Sequence, residues 1–397
     1  MARITKRNIL TVFLTSIGCI FVLTRLRLLT SECPNCSMSF SESSLTRVSK
    51  FSLQSLEKTP PNILSAFSPK RNTNLDSYVE KRSNFPRCST LENFTKPYFR
   101  RIEGEVPCLN KSFFKLYDSK VTDVPMDFSI PGAQICDTKI SILFVGPSVV
   151  DTETNKARLE IRKTWASKFY GSNWLQASSM KMVFFFGSSG LNDSSLTLLQ
   201  KESAIFGDIV VGNFNDTYGN LSLKMTVIIS WVAKYCPNVE AVVKVDMDTF
   251  VNVDLLSALL HELPRKTHPM YVFGKQHKAI IPPVVRTGVW TVPENLYPFA
   301  FFPKYIYGHS YVISGPAVNL LASSFPYFPI IPNEDAFVTG IMAMVLNITQ
   351  FDSPFADKKA FNTVEEFKHN RIVSIILENG EREEVWDQMK TKICFES

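Results

Sequence analysis

Histidine is scarce: five in a chain of 397 residues, too few to expect a metal site built mainly from imidazoles. Basic residues are scattered and never gather into one run. The net charge is only +6, so composition gives no reason to expect a nucleic-acid partner. No internal repeat is present, which sets aside repeat architectures. The cysteines, eight in all, are too spread out for a zinc site. What remains is an ordinary globular balance, 45% hydrophobic and 20% charged, with length for one large or two ordinary domains.

Charge is missing from one stretch near the N-terminus. "NILTVFLTSIGCIFVLT" runs uncharged from Asn8 to Thr24, flanked by Arg3, Lys6 and Arg7 before it and Arg25 and Arg27 after it. That length is at the short end of a membrane-spanning helix, about 17–25 residues. A cleaved signal peptide would have a shorter apolar core and a small-residue cleavage site, and "TRLRLLTSECP" offers none. Residues 8–24 are therefore read as an uncleaved transmembrane signal anchor and 1–7 as a cytoplasmic tail, against a signal peptide or a buried helix. A short span suits the thinner membranes of the early secretory pathway. Residues 25–85 are rich in Ser, Thr, Pro, Asn and Lys and read as a flexible stem. Residues 86–137, where aromatics and cysteines return, form a lead-in of uncertain structure.

Cys33, Cys36, Cys88, Cys108, Cys136, Cys236 and Cys394 follow the apolar span and suit disulfides in an oxidising compartment. Seven is odd, so at least one is free or pairs between chains. Cys33 and Cys36 of "CPNC" are the candidates for a disulfide-linked homodimer, with a local bridge or free thiols as the other reading. Glycosylation sequons at Asn35, Asn93, Asn110, Asn192, Asn215, Asn220 and Asn347 agree with a lumenal body.

From Thr138 to the end of the chain the pattern becomes α/β. "KISILFVG", "KMVFFFGSS", "GDIVVGNF", "EAVVKVD" and "PMYVFGK" are short apolar runs read as strands. "TNKARLEIRKTWASKFY" and "NLSLKMTVIISWVAKYC" carry helical spacing between them. The alternation predicts an open, mostly parallel sheet with helices on both faces. In such sheets ligands bind outside the carboxyl ends of the strands, where "AVVKVDMDTFVN" ends in Asp246 and Asp248. If the chain stays extended there, both carboxylates face one side and Met247 the other. Such a pair suits Mn²⁺ or Mg²⁺ with open positions for phosphate oxygens. Taken alone, the pair reads more simply as capping at a strand-to-turn junction.

The surrounding residues resemble the β-1,3-hexosyltransferase (β-1,3-galactosyltransferase-type) family. Lys244, Asp246, Asp248, Phe250 and Val251 stand in its Lys-X-Asp-Asp-Asp-X-Phe-Val pattern, with Met247 in place of the middle acid. Arg158, Ile161, Arg162, Thr164 and Trp165 match a second block. Gly207, Asp208, Asp216, Tyr218, Asn220, Leu221 and Lys224 match a third. "FPKYIYGHSYVIS" is similar to a Tyr- and Gly-rich fourth, and Glu334, Asp335 and Gly340 match a fifth.

This resemblance implies a GT-A nucleotide-sugar-binding fold, Rossmann-like with a mixed, mostly parallel sheet, spanning 138–397. It implies an inverting, metal-dependent transfer of a hexose from a UDP-sugar to a sugar hydroxyl in β-1,3 linkage. UDP-galactose is the first choice of donor and UDP-N-acetylglucosamine the second. The acceptor would be a glycan on a glycoprotein or glycolipid, and the setting a single-pass type II protein of the Golgi membrane. Asp248 would ligate Mn²⁺ or Mg²⁺, with Asp246 nearer the ribose and uracil. Asp335 would be the catalytic base, although its place before "AFVTGIMAMVL" also suits a helix cap. Arg158 and Arg162 would face the nucleotide or its diphosphate, or else form ordinary ion pairs. Tyr218, Asn220 and Lys224 would wall the donor side, with packing, capping and a glycan at Asn220 as competing readings. Two departures stand out: His309 and Ser310 replace glycines of the family pattern, and Ile375 and Ile376 stand where many relatives carry a metal-serving histidine. They keep open a catalytically silent member that binds glycans or partner transferases.

Overall fold

The computed structural model describes residues 100–102, 112–137, 139–170, 179–279, 281–353, 356–357, 373–378 and 380–392. The expected tail, anchor and stem lie outside these residues, as do Cys19, Cys33, Cys36, Cys88, Cys108, Cys394 and the sequons at Asn35, Asn93 and Asn110. Among the described residues no helix is long and apolar enough to cross a membrane.

The strands are β1 (Arg100–Arg101), β2 (Phe128–Ile130), β3 (Ile142–Pro147), β4 (Met180–Ser189), β5 (Ile209–Asn215) and β6 (Ala241–Val245). They continue with β7 (Thr249–Val251), β8 (Tyr271–Gln276), β9 (Ile306–Ser314), β10 (Thr349–Asp352), β11 (Ala356–Asp357) and β12 (Ser374–Ile376). Helices α1 (Thr152–Lys163), α2 (Asp193–Phe206), α3 (Leu221–Tyr235), α4 (Val253–Glu262), α5 (Gly315–Ser324) and α6 (Glu381–Lys392) connect or cover them.

Nine strands form one sheet in the order β1-β10-β8-β9-β6-β3-β4-β5-β2, and β11-β12-β7 form a small second sheet. The five apolar runs become β3, β4, β5, β6 and β8. The sheet is mixed, as the resemblance implied, but the mostly parallel part of that expectation is corrected: antiparallel pairings are as many as parallel ones in the nine-stranded sheet. β6, β3, β4 and β5 run parallel, as do β8 and β10, while β9 runs antiparallel to both β6 and β8. β1 and β2 close the edges, each antiparallel to its neighbour. An apolar run buried on both faces carries no record of its direction.

Period-2 alternation splits the core. Leu143 and Val145 of β3 point to one face, with Ile228, Ile229 and Trp231 of α3 and Leu321 of α5. Ile142 and Phe144 point to the other, with Ile161 of α1, Leu255 and Leu259 of α4 and Trp386 of α6. Each fully buried aliphatic or phenylalanine side chain of this kind contributes about 1.5–3 kcal/mol. Trp165 is fully buried against Phe144 and Phe169.

Local signals set the helix ends. Asp151 caps α1 by accepting from Thr154 N at 2.7 Å. Asn192 caps α2, which ends at Gly207 in the left-handed region, φ 68°. Asn252 caps α4, accepting from Leu255 N at 3.1 Å. Gly315 opens α5 where a Cβ would lie 1.9 Å from the Val239 carbonyl oxygen, so only glycine fits. Cys136, just before the α/β pattern begins, is disulfide-bonded to Cys236 at the end of α3.

Candidate active site

β6 ends at Val245, and the chain turns at once: Thr249 N donates to Asp246 O at 3.1 Å, and β7 begins. The expectation of an extended Asp246–Asp248 segment is therefore corrected. The acids sit on a tight turn at the carboxyl edge of the sheet, where a period of two no longer governs side-chain direction. Asp248 is exposed, Asp246 is 38% exposed at its side chain, and Met247 is half-buried, packing toward Gly146.

Lys244, on the last turn-side residues of β6, is the electrostatic centre. Its fully buried ammonium meets Asp246 Oδ1 at 2.5 Å and Glu334 Oε2 at 3.6 Å, and donates to the Gly308 carbonyl. Burial alone would lower its pKa, but Asp246 and Glu334 outweigh that and hold it raised. Tyr311 of β9 donates its hydroxyl to Glu334 Oε1. Burial, together with Glu334, raises that phenol well above its ordinary value.

Asp335 stands beside this cluster at the start of a π-helical turn, Ala336–Met342, a distortion frequent at functional sites. Its Oδ1 accepts from Ala336 N at 2.9 Å and its Oδ2 from Gly308 N at 3.0 Å. The cap reading is thus realised through one oxygen, while the second faces the motif around Gly308. Burial raises the Asp335 carboxyl, and Lys244 and the two N–H donors only partly oppose this. A carboxylate with raised affinity for a proton is suited to general-base work.

His309 and Ser310 are buried in β9 beside the acid turn, and Ser310 pairs with Val245. The His309 carbonyl accepts from Asp246 N at 3.0 Å and from Thr249 Oγ1 at 3.1 Å. On the turn's other side, Ile376 lies opposite Thr249 and Ile375 is buried opposite Phe250. This strand thus presents apolar side chains beside the acid turn.

Among the described residues no three His, Cys, Asp or Glu side chains converge as a ready metal cage. Two carboxylates on an accessible turn do not make a closed structural zinc site. They fit a hard cation that takes one or two protein carboxylates and leaves its other positions to water and phosphate.

Of the two readings left open for Arg158 and Arg162, the structure shows the ion pairs: their guanidiniums bind buried carboxylates. Arg158 binds Glu202 through Nε and Nη2, both at 2.9 Å, and Ser148 Oγ at 3.0 Å. Arg162 binds Asp208 through Nε and Nη2, both at 2.8 Å, and Glu202 at 2.7 Å. Burial would raise the Glu202 carboxyl, but the two arginines outweigh it and its pKa is lowered.

The Lys224 ammonium is also buried, bound to Ser148 O at 2.6 Å and Asp216 Oδ2 at 2.7 Å. Burial lowers its pKa against the pull of Asp216. Asn220 donates to the Asn215 carbonyl at 3.0 Å. Tyr218 is 62% exposed, and its hydroxyl accepts from Trp290 Nε1 at 2.7 Å. Trp290, itself exposed, lies on the β8–β9 connection and belongs to none of the motif blocks. The tasks of Lys244 and Tyr311 were likewise not read from sequence, although both residues lie inside recognised motifs.

Residues 156–354 match the family model described as Galactosyltransferase. Beta-1,3-galactosyltransferase 1 of Mus musculus and that of Homo sapiens are each 27% identical over 287 residues, 71% of this chain and 84% of theirs. Lactosylceramide 1,3-N-acetyl-beta-D-glucosaminyltransferase of Xenopus tropicalis is 32% identical over 179 residues, 44% of this chain and 45% of that protein. A solved glycosyltransferase that acts in glycosylation of the major capsid of PBCV-1 aligns with TM-score 0.30 and 10% identity over 63% of this chain and 98% of that one. With the family match covering half its length, the chain belongs to the galactosyltransferase family of glycosyltransferases.

Proposed function

We propose that the chain is an inverting, divalent-metal-dependent glycosyltransferase that moves a hexose from a UDP-sugar to a sugar hydroxyl in β-1,3 linkage, on a GT-A fold. The observation that carries this reading is the contact between Asp335 Oδ2 and Gly308 N, 3.0 Å, next to the Lys244–Asp246–Glu334 cluster. It brings the motifs around Asp246, Gly308 and Asp335 to one edge of the sheet.

In this reading Asp335 takes the proton of the acceptor hydroxyl on the face opposite the leaving group. Asp248, with Asp246 toward the ribose and uracil, would hold Mn²⁺ or Mg²⁺, which would supply positive charge against the leaving diphosphate. Burial raises the Asp246 carboxyl to about 6, Lys244 opposes that rise, and the same ammonium fixes the Gly308 carbonyl. Tyr218 and Asn220 line the donor side, with Lys224 supporting that wall from beneath through Ser148 and Asp216. The catalytic body would stand in the Golgi lumen behind the segment 8–24, glycosylated at exposed sequons such as Asn192 and Asn347.

Galactose is the first choice of donor sugar, in keeping with the names of the mouse and human relatives. N-acetylglucosamine is the second, favoured by the likeness to the Xenopus enzyme. The full chain, purified in detergent with Mn²⁺, should release UDP from one of these donors and transfer the sugar to a simple β-linked acceptor. Asp335→Ala should abolish transfer. Absence of UDP release from every donor would overturn the enzyme reading in favour of a silent glycan-binding member.

A further inference from the structure

The Asp246–Asp248 turn is held from behind by residues to which no motif assigns a role: Arg382, Gly380 and Leu377 of the C-terminal segment, and Glu160 at an unspecified position of the Arg158–Trp165 block. Arg382, in the first turn of α6, has no exposed surface. Its Nη1 donates to Glu160 Oε2 at 2.8 Å, and its Nη2 donates to the Met247 carbonyl. Glu160 lies on α1, and its other oxygen accepts from Gly380 N at 3.0 Å. One residue beyond Met247, the Asp248 carbonyl accepts from Leu377 N at 2.7 Å, where β12 pairs with β7. With Thr249 N on the Asp246 carbonyl, all three carbonyls of the turn are engaged, two of them by the C-terminal segment.

A buried guanidinium is costly unless it is paired and hydrogen-bonded. A purely structural Arg–Glu pair is often replaceable by apolar side chains at little cost. This pair has a further attachment, at the peptide between the two acids. Because that attachment is to a backbone oxygen, it does not depend on the side chain at position 247, and methionine there leaves it intact.

We propose that Arg382, oriented by Glu160, is a positioning residue that fixes the spacing and aim of the Asp246 and Asp248 carboxylates. It thereby sets the affinity of the turn for a divalent cation with a nucleoside diphosphate. The inference rests on the metal reading given above. Outer partners that orient metal ligands typically contribute about 10–100-fold in metal affinity.

Calorimetric titration of Mn²⁺ into the full chain in detergent, with UDP present, tests it. Arg382→Met combined with Glu160→Gln removes both charges, so no unpaired ion is left buried. This variant should keep its circular dichroism and bind Mn²⁺ about 10–100-fold more weakly, and Arg382→Lys should recover part of the loss. Unchanged Mn²⁺ affinity in the folded double variant overturns the proposal. If the double variant does not fold, Arg382→Lys decides by the same titration: weaker binding supports the proposal and unchanged binding overturns it. A parent chain that binds no Mn²⁺ with UDP overturns the metal reading and this inference together. A parent that binds while the variants bind equally well overturns this inference alone.

Discussion

Gly308 donates its N–H to Asp335 Oδ2 at 3.0 Å, and a Cβ placed on Gly308 would lie 3.3 Å from that same oxygen. The glycine therefore serves as donor and as clearance. Gly308→Ala forces the carboxylate or the strand to give by a few tenths of an ångström. Misplacement of a reacting group lowers rate more than binding. The expected result is a kcat reduced about tenfold or more with little change in KM for the donor. Steady-state kinetics on both substrates would check it.

Asp335 both caps the π-helical turn and offers an oxygen to the site, so its two duties can be separated. Asn retains an acceptor for Ala336 N but cannot take a proton. Its NH2 would face the Gly308 N–H, so Asp335→Asn should lose some stability, but less than Ala, and lose about 10²–10⁴-fold in transfer rate. An equal loss of stability in Asn and Ala variants, with transfer retained, would leave only the cap. Thermal denaturation and transfer assays of the two variants decide between these outcomes.

β6, which leads into the acid turn, was legible as a buried apolar run ended by polar residues, whereas β7, β9 and β12, which also frame the site, were not read as strands. Two further aspects were not legible. The direction of β9 and the edge strands is fixed by pairing partners far away in sequence, which leave no mark on local hydrophobicity. The point where β6 stops is decided by Thr249 N donating to the Asp246 carbonyl and by the His309 carbonyl accepting from Asp246 N and Thr249 Oγ1, so Asp246 and Asp248 looked like one strand face. Asp335 was readable as either cap or base, and Oδ1 and Oδ2 divide those roles. Arg158 and Arg162 were readable only as a spacing. Their partners Glu202 and Asp208 come from α2 and the approach to β5, more than a helix away along the chain.

Those partners give the next prediction. Glu202, buried between Arg158 and Arg162, has a lowered pKa. Its contribution to stability is present above the ordinary value of 4.5 and is lost as pH falls through the lower folded value. Melting temperature should therefore decline in acid below that range. Glu202→Gln leaves two buried guanidiniums short of charge and should cost about 3–5 kcal/mol at neutral pH. It should also flatten the acid limb. Denaturant titrations of parent and variant at neutral and acid pH measure both effects.

The Cys136–Cys236 disulfide closes a segment with a sequence separation of 100, joining the approach to β3 to the end of α3. That segment contains β3, β4, β5 and the Arg158–Glu202 network, so the crosslink restricts the unfolded chain over much of the parallel half of the sheet. A loop of that length corresponds to about 4–5 kcal/mol on a chain-entropy argument. Cys136→Ser with Cys236→Ser should lower stability toward that amount. The acid turn belongs to the β6–β9 side, outside the closed loop, so catalysis by the surviving folded fraction should change little. Equilibrium unfolding gives the first quantity, and kcat normalised to folded protein gives the second. A variant that loses rate per folded molecule while keeping its stability would show instead that the crosslink acts on the site.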